Sequence, residues 1–309
     1  MQNRAPETPL RPAESITHQH LLAVLNTEIR RRPPVPLVRI LDLGCGDGRL
    51  LSYLAINLPI LQPSARFELY GLDVGDRSVQ RQGFLDGARA LLRERVPSED
   101  WEGRLIDLST TDRWPFADEH FDVVVSNQVF EHVSDHSFVL GEIARTLRTG
   151  GCSVHLFPLV HYVYEGHLHL PYVHRIRDFD LLRAYIRTLS RLGLGKFPAN
   201  RQATGISVEE FSERHADYIQ HQTNYLTYSR ALTLAKNARL RGSFRYTAEF
   251  YAAKVRSLFN RIPVYEYETE RSALIDSSAA KLLRYVSSVT LCLDKRDTYR
   301  TGNHHACDV

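Results

Sequence analysis

The chain has few of the features that would assign it to a specialised class of protein. Its four cysteines are Cys45, Cys152, Cys292 and Cys307. None lies in a Cys-x-x-Cys pair, which argues against a zinc knuckle and a disulfide framework. No apolar run approaches the roughly 18 residues of a membrane span, and the polar, proline-rich start has no apolar core of a secretory signal. These absences predict reduced thiols, no membrane span and a cytoplasmic protein.

A strong excess of one charge is also missing. The 39 Lys and Arg residues against 36 Asp and Glu give a net charge of only +3. Such a balance is too mild to indicate a nucleic-acid or membrane partner, and we expect neither. With 309 residues, 43% of them hydrophobic, the chain can form one large α/β domain with an insertion or two small domains.

The most informative segment is a strand that ends in a glycine turn. An apolar run over residues 37–43 predicts a buried strand, and Gly44, Gly46 and Gly48 follow it at alternate positions. Glycines there let a ligand approach the backbone and the free N–H groups of a helix start. The spacing is Asp-x-Gly-x-Gly-x-Gly and differs from the Gly-x-Gly-x-x-Gly of dinucleotide-binding proteins. The spacing therefore disfavours an NAD-dependent enzyme.

Strands and helices alternate through the first half of the chain. The patterns predict strands at 37–43, 67–73, 101–107, 121–127 and 152–159, and helices at 14–31, 49–58, 77–94 and 137–148. This alternation predicts an α/β fold with a doubly wound, parallel sheet. Four polar residues fall at predicted strand ends: Asp42, Asp73, Asp107 and Asn127. Since ligands of such sheets bind beyond the carboxyl ends of the strands, we expect these side chains to share a pocket.

The alternation stops after Leu159. We predict a ligand-binding half over residues 14–160 and an insertion or cap over 161–225, with a helix from Phe179 to Leu194. Helices at 228–239 and 272–285, a strand or helix at 243–253 and a strand at 286–293 return to the sheet within 226–295. Residues 1–13 and 296–309 are predicted to be tails.

Three further segments, taken with the glycine turn, resemble the motifs of one known family. They are Trp114–Asn127, Val129–Val133 and Leu147–Gly151. In this order they resemble motifs of the class I methyltransferases that depend on S-adenosylmethionine (SAM), in particular those with a type 11-like domain. The resemblance implies a Rossmann-like fold with a mostly parallel seven-stranded sheet, a helical insertion after strand five and SAM as cofactor.

The same resemblance implies how the glycine turn would hold the cofactor. Gly44, Gly46 and Gly48, with Cys45 between them, would lie under the methionine part of SAM. Asp42 would hold its amino group, directly or through water.

The resemblance also assigns residues to the next three strand ends. Asp73 would accept hydrogen bonds from the ribose hydroxyls. Asp107 and Leu108 would border the adenine, although Asp-Leu-Ser replaces the usual Gly-Asp-Ala there. Asn127 and Gln128 would lie near the reacting methyl group.

The acceptor is less well indicated. Asn127 does not begin an Asn-Pro-Pro-Tyr motif, which lowers the odds of methylation on base or glutamine nitrogens. The segment 161–175 is rich in His and Tyr, and a histidine there suits proton abstraction. We therefore predict O-methylation of a small molecule or sugar. The alternatives are C- or N-methylation of a secondary metabolite, and a SAM-binding protein without catalysis.

The candidate general bases are His167, His169 and His132. For the His-rich segment three hypotheses stay open: it contains the base, its rings pack the cap, or His167 and His169 share a metal with Glu165. No zinc signature is matched, and we expect no metal. Arg175 and Arg177 are candidates for binding a phosphate or carboxylate of the acceptor. The sequence does not indicate an oligomeric state.

Overall fold

The computed structural model describes residues 9–74 and 84–296. Helices within these ranges are α1 (Ile16–Arg30), α2 (Arg49–Leu61), α3 (Phe84–Arg95), α4 (His136–Thr146), α5 (Phe179–Arg191), α6 (Phe197–Thr204), α7 (Val208–Gln222), α8 (Tyr228–Asn237), α9 (Thr247–Leu258) and α10 (Ala273–Leu283). Strands there are β1 (Leu37–Leu43), β2 (Arg66–Val74), β3 (Leu105–Leu108), β4 (Phe121–Asn127), β5 (Leu147–Phe157), β6 (Tyr164–Glu165), β7 (Leu170–Pro171), β8 (Arg241–Ser243) and β9 (Val289–Asp294). None of the described helices is both long enough and apolar enough to cross a bilayer.

Seven strands form one sheet, in the spatial order β3-β2-β1-β4-β5-β9-β8. Neighbouring strands pair in parallel, except that β9 runs antiparallel to both β5 and β8. This confirms the predicted doubly wound, mostly parallel sheet. The strand order reverses between β1 and β4, so a crevice opens beyond the carboxyl ends of these two strands.

Two apolar layers fix the sheet from both sides. Along β4, Val123 and Val125 pack with side chains of α1, α2, α3 and α9, while Val124 packs with α4, α8 and α10. This period of two is the pattern of a central strand that is buried on both faces. The layers hold the strand ends rigidly, so the polar residues that follow each strand have fixed positions.

The insertion after β5 has a small apolar core of its own. The hairpin β6–β7 contributes Leu168 and Leu170 to that core, α5 contributes Ile186, and α7 contributes Phe211 and Ile219. The side chains of Asp178 and Ser207 accept the first free N–H groups of α5 and α7, which sets where each helix begins. The hairpin is therefore supported by packed helices.

Three predicted segments show how the observed elements differ from the sequence patterns. The third strand begins at Leu105 because Trp101 belongs to a turn, where its Nε1 donates to the carbonyl of Val96. The fourth helix ends at Thr146, and the next residue already pairs with Phe121 in the sheet, so residues 147 and 148, which were predicted to be helical, lie in β5. The ambiguous segment 243–253 contains the end of β8 and most of α9.

Some predictions concern residues outside the described ranges. These are the tail over 1–8, the start of the helix predicted at 77–94, most of the C-terminal tail and Cys307. In the described part of the N-terminal segment, the backbone N–H of Arg11 donates to Asn57 Oδ1 at 2.8 Å, so this segment lies against α2.

Candidate active site

A cavity of about 400 Å³ occupies the crevice at the carboxyl ends of β1, β2 and β4. Its volume lies in the range of small-molecule and cofactor sites. Of the predicted site residues, the lining includes Gly44, Gly46, Asp73, Leu108, Asn127, Gln128, His132 and His167. The sequence patterns thus bring together residues from the glycine turn, three strand ends and the insertion.

The glycine turn forms one wall of the cavity. Its backbone takes conformations that favour glycine. Gly44, Gly46 and Gly48 have φ angles of +69°, +57° and +77°, in the region that L side chains rarely adopt. A Cβ on Gly44 would lie 2.4 Å from Val129 Cγ2. The N–H of Gly44 donates to the carbonyl of Leu72 at 2.7 Å, which ties the turn to β2.

Asp73 joins the end of β2 to this turn. Its Oδ2 accepts from the N–H of Gly46 and its Oδ1 from the N–H of Val74, both at 2.8 Å. The side chain is buried, and it lines the cavity. Asp107 is its partner in the β2–β3 register, but the side chain of Asp107 is exposed and does not line the cavity.

Two side chains near the carboxyl ends of β1 and β4 have buried oxygen atoms without a hydrogen-bond partner among the described residues. Neither carboxylate oxygen of Asp42, nor Oδ1 of Asn127, has a hydrogen-bond partner among the described residues. Burial, with the nearby charges of Asp73 and Asp47, raises the pKa of Asp42 well above its usual value. Buried acceptors rarely stay unpaired, so this pair suits a ligand that brings several N–H donors.

The residue after Asn127 adopts a strained conformation beside the same wall. Gln128 has a φ of +56°, and its N–H donates to the carbonyl of Leu156 at 2.8 Å. A positive φ in a residue other than glycine costs free energy and is found most often at functional sites. The bond to β5 holds this conformation, so the chain turns from β4 directly along the cavity.

The hairpin β6–β7 brings an imidazole and a carboxylate to the cavity. Nδ1 of His167 donates to Glu165 Oε1 at 2.5 Å, and the ring of His167 lines the cavity. Glu165 is buried, and its Oε2 also accepts from the N–H groups of His167 and Leu168. Tyr225 donates its hydroxyl to Oε1 at 2.8 Å.

These bonds keep Glu165 ionised in a buried position. Burial alone would favour the neutral acid, but the hydrogen bonds and charge of His167 and the backbone N–H groups lower the pKa of Glu165 to about 2. A carboxylate accepts from Nδ1 only when that nitrogen carries the proton. The pair therefore leaves Nε2 as the acceptor nitrogen whenever His167 is neutral.

Three rings meet beside this pair. The ring centroids of His132 and His167 are 4.9 Å apart, and that of Tyr218 lies 5.1 Å from His167. Nδ1 of His132 donates to the carbonyl of Gln222 at 2.9 Å. The segment after β4 and helix α7 thus share one wall with the hairpin.

Several predicted residues lie outside the cavity lining. Cys45 is packed under the turn against Gly71, and Gly48 caps α2. His169 is exposed at a φ of +54°, because the hairpin alternates and turns its neighbours Leu168 and Leu170 into the cap core. Arg175 donates to the carbonyls of Val160 and His161 and is exposed, as is Arg177.

Other lining residues were missed from the sequence. They are contributed by the segment after β3, the start of α4 and helix α7, and include Trp114, Phe138, Tyr218 and Gln222. Tyr218 and Gln222 lie four residues apart on α7. This helical spacing is the only feature of the local sequence that could have indicated that the two side chains share a face. Across the described residues, no group of three His, Cys, Asp or Glu side chains is placed to hold a metal ion.

The residues at the strand ends fit S-adenosylmethionine. Asn127, in the cavity lining, and Asp42, which is buried at the end of β1 outside that lining, have unpaired acceptor oxygens of the kind that an α-ammonium group needs. Gly44 and Gly46 line the cavity without a side chain, and Asp73 presents a carboxylate to it. These are complementary to the methionine and ribose parts of that cofactor.

Comparisons with known proteins agree with this fit. Residues 41–154 match the family described as methyltransferase domain. Methyltransferase GfsG of Streptomyces halstedii is 31% identical over 114 residues, 37% of this chain and 35% of that protein. Malonyl-[acyl-carrier protein] O-methyltransferase of Legionella pneumophila is 31% identical over 116 residues, 37% of this chain and 34% of that protein.

A third relative differs in the atom that its name says is methylated. Dimethylglycine N-methyltransferase of Parasynechococcus marenigrum is 30% identical over 107 residues, 35% of each chain. The chain thus covers about a third of the length of each of these relatives. Over residues 41–154, which contain the glycine turn and the strand ends described above, the chain is similar to the family described as methyltransferase domain.

Proposed function

We propose that the chain methylates a hydroxyl oxygen of a small molecule or sugar, with His167 as the general base. The observation that carries this proposal is the hydrogen bond from His167 Nδ1 to the buried, ionised Glu165, in the wall of the cavity that contains the glycine turn. A carboxylate that orients an imidazole in this way is a recurring device of proton abstraction.

The chain's own residues would handle the proton. S-adenosylmethionine, when bound, supplies an electrophilic methyl group, whose bond to sulfur breaks as the acceptor oxygen attacks. The acceptor proton passes to Nε2 of His167, and Glu165 stabilises the imidazolium that results. His132 and Tyr218 place ring faces and edges beside the acceptor and exclude water from this step.

The lining supports an uncharged acceptor. Among the described residues that line the cavity there is no Lys or Arg, whereas His132, His167 and Tyr218 present rings. Since a buried phosphate or carboxylate needs a cationic partner, a hydroxylated ring fits this wall better than an anionic acceptor. Arg175, which donates to backbone carbonyls, lies outside it.

Two alternatives from the sequence stay open as proposals of lower support. The name of one relative, an O-methyltransferase, favours an oxygen acceptor, and that of another favours nitrogen. N-methylation of a neutral amine needs no base before attack, and a SAM-binding protein without catalysis needs none. C-methylation does need removal of a proton. A His–Glu pair in the cavity therefore favours an oxygen acceptor over an amine and over a protein without catalysis.

The test begins with calorimetric titration of S-adenosylhomocysteine, with NAD as control. Micromolar binding of the first ligand alone would support the cofactor. Methyl transfer from S-adenosylmethionine is then screened over phenols, sugars, carboxylic acids and amines. Turnover of amines alone would contradict the proposed oxygen acceptor.

Two matched variants test the base. His167→Ala should lower kcat by about 10²–10⁴-fold, the usual contribution of a general base, without weakening S-adenosylhomocysteine binding. His169→Ala, which alters an exposed imidazole of the same hairpin, should leave both unchanged. Equal effects of the two substitutions on kcat would contradict the role of His167.

A further inference from the structure

Helix α9 turns an apolar stripe toward solvent. Tyr251, Val255 and Leu258 are spaced for one face of the helix, and Leu258 is 81% exposed. Thr247 and Phe250, on the first turn and the adjoining side of the helix, are buried against the core. The exposed stripe is an unusual surface, because solvent-facing positions of a helix are ordinarily polar.

Helix α10 repeats this arrangement beside α9. Leu274 is 81% exposed, Leu282 is 74% exposed, and Ile275 lies between them. On the inner side Ala280 is buried, and Ser277 shares a hydrogen bond with Tyr228 of α8 at 3.0 Å. The six outer side chains on the two helices form what we call the α9–α10 face: Tyr251, Val255, Leu258, Leu274, Ile275 and Leu282.

The area of this face matches one side of a protein interface. An aliphatic side chain exposes on the order of 100 Å² of apolar surface, so the α9–α10 face, with Phe259 and Ile262 beside it, offers roughly 600 Å². A standard interface buries about 800 Å² per partner, of which about 60% is apolar. The largest apolar patch of a typical monomer is about 300–600 Å².

The distribution of residues along α10 indicates which partner would cover the face. Leu274 and Leu282 lie four residues before and four residues after the exposed Ser278. A two-fold axis at Ser278 would place Leu274 of one copy against Leu282 of the other, with a small side chain at the crossing point. The helices would then run antiparallel, which also opposes their dipoles favourably.

Charges at the two ends of α10 agree with the same symmetry. The exposed Glu270 precedes the helix, and Arg284 follows it. Antiparallel packing about Ser278 brings Glu270 of each copy toward Arg284 of the other. A membrane surface would not use this pairing, because the acidic end would face anionic lipid.

We propose that the α9–α10 face binds the same face of a second copy of this chain, forming a dimer with its two-fold axis near Ser278. An isologous contact of this kind is the commonest form of soluble oligomer. The interface would adjoin the catalytic hairpin, since the carbonyl of Tyr285 accepts from the N–H of Val163 at 2.9 Å, two residues before Glu165.

Sedimentation equilibrium of the full chain tests the proposal directly. The wild type should have twice the monomer mass of 35.4 kDa, and the double variant Leu274→Glu/Leu282→Glu should have the monomer mass with an unchanged circular dichroism spectrum. Leu192→Glu alters a 71% exposed leucine on the insertion and should remain a dimer. A wild type of monomer mass, including one that sediments with anionic vesicles, would overturn the proposal.

Two variants test the axis even if the glutamate variant fails to fold. Ser278→Cys should form a covalent dimer under mild oxidation, whereas the wild type and Ser64→Cys, an exposed serine distant in the chain, should not. Arg284→Glu should weaken the dimer at least several-fold, and Glu270→Arg in the same chain should restore it. Absence of both the cross-link and the restoration would show that the face has another partner or none.

Discussion

Gly44 and Gly103 have nearly the same backbone conformation, with φ angles of +69° and +71°, but different surroundings. A Cβ on Gly44 would overlap Val129, whereas nothing lies within 4 Å of a Cβ on Gly103. We expect Gly44→Ala to lower S-adenosylhomocysteine affinity more than tenfold, because Val129 must move into the cavity. Gly103→Ala carries only the strain of a positive φ, about 1–2 kcal/mol, and should bind normally in the same calorimetric titration.

Asp73 and Asp107 offer a second matched pair, as register partners at the ends of β2 and β3. Asp73→Ala removes a buried carboxylate that accepts two N–H groups, so we expect cofactor binding to weaken by about 1–3 kcal/mol and the melting temperature to fall. Asp107→Ala changes an exposed side chain. If both variants lose the same affinity in titration calorimetry, the ribose contact is not specific to Asp73.

At this scale the sequence predicts what lies next to a strand. Gly44, Asp73 and Asn127 could be placed because the end of a parallel strand fixes where the next side chains go. Tyr218 and Gln222 could not, because they reach the cavity through packing of α7 on the hairpin, more than 90 residues after Asn127. The cofactor and base roles of all these residues remain predictions.

The β6–β7 hairpin depends on one carboxylate. Glu165 accepts from His167, Leu168 and Tyr225, so Glu165→Gln replaces an acceptor oxygen by an NH₂ group that faces donors. We expect kcat to fall by about 10²–10⁴-fold, the scale seen when a buried carboxylate partner of a catalytic imidazole is neutralised. The melting temperature should fall as well.

Tyr225→Phe separates positioning from support of the hairpin. It removes one hydrogen bond to Glu165 and leaves the carboxylate and its bond to His167 intact. We expect Tyr225→Phe to lower kcat much less than Glu165→Gln does. The measurement is the pH profile of kcat and KM for both variants. If the two variants lose kcat equally, the charge of Glu165 does not account for the activity that depends on His167.

Elements differ in how far local sequence determines them. The limits of β1 and β4 agree with the prediction at both ends, because apolar runs between turns define central strands. The α4–β5 boundary was misplaced because Leu147 is held by pairing with Phe121 across the sheet, a contact that no local pattern contains. The same holds for β8, whose three residues are a strand only beside β9.

Buried ionisable groups determine how the stability of the whole molecule depends on pH. Burial lowers the pKa of His20 and of His155 to about 3, so the unfolded chain binds more protons below pH 6.5. Burial raises the pKa of Glu131 to about 8, so this carboxyl group keeps its proton in the folded chain at neutral pH. Burial also raises the pKa of Asp42 above its usual value. Burial also lowers the pKa of six other histidines, namely His18, His120, His136, His161, His174 and His215.

These shifts act with opposite sign in overlapping pH windows. The histidines make stability fall as pH falls from 6.5 toward 3, because the unfolded chain takes up protons that the folded chain does not. Glu131 makes stability fall as pH rises from about 4.5 to 8, because the unfolded chain has lost a proton that the folded chain still holds. Each retained proton contributes a slope of up to about 1.4 kcal/mol per pH unit. We expect the free energy of unfolding in urea to peak near pH 6.5.

Glu131→Gln provides the control for this prediction. It should flatten the decline between pH 6.5 and 8 and leave the slope below about pH 4.5 unchanged, because it removes a carboxyl group that keeps its proton in the folded chain. An unfolding free energy that increases from pH 6.5 to 8 in the wild type would contradict the assignment of Glu131 as protonated in the folded chain.

The single reversed strand has a consequence for biosynthesis. β9 lies between β5 and β8 yet follows every other strand in chain order, and Val289 to Leu293 are buried, with side chains facing both layers. Until it emerges from the ribosome, β5 presents an open hydrogen-bonding edge and β8 has no neighbour in the sheet. The nascent cofactor-binding half is therefore exposed to edge-to-edge aggregation, and its protection by chaperones should matter until the last strand of the sheet has been synthesised.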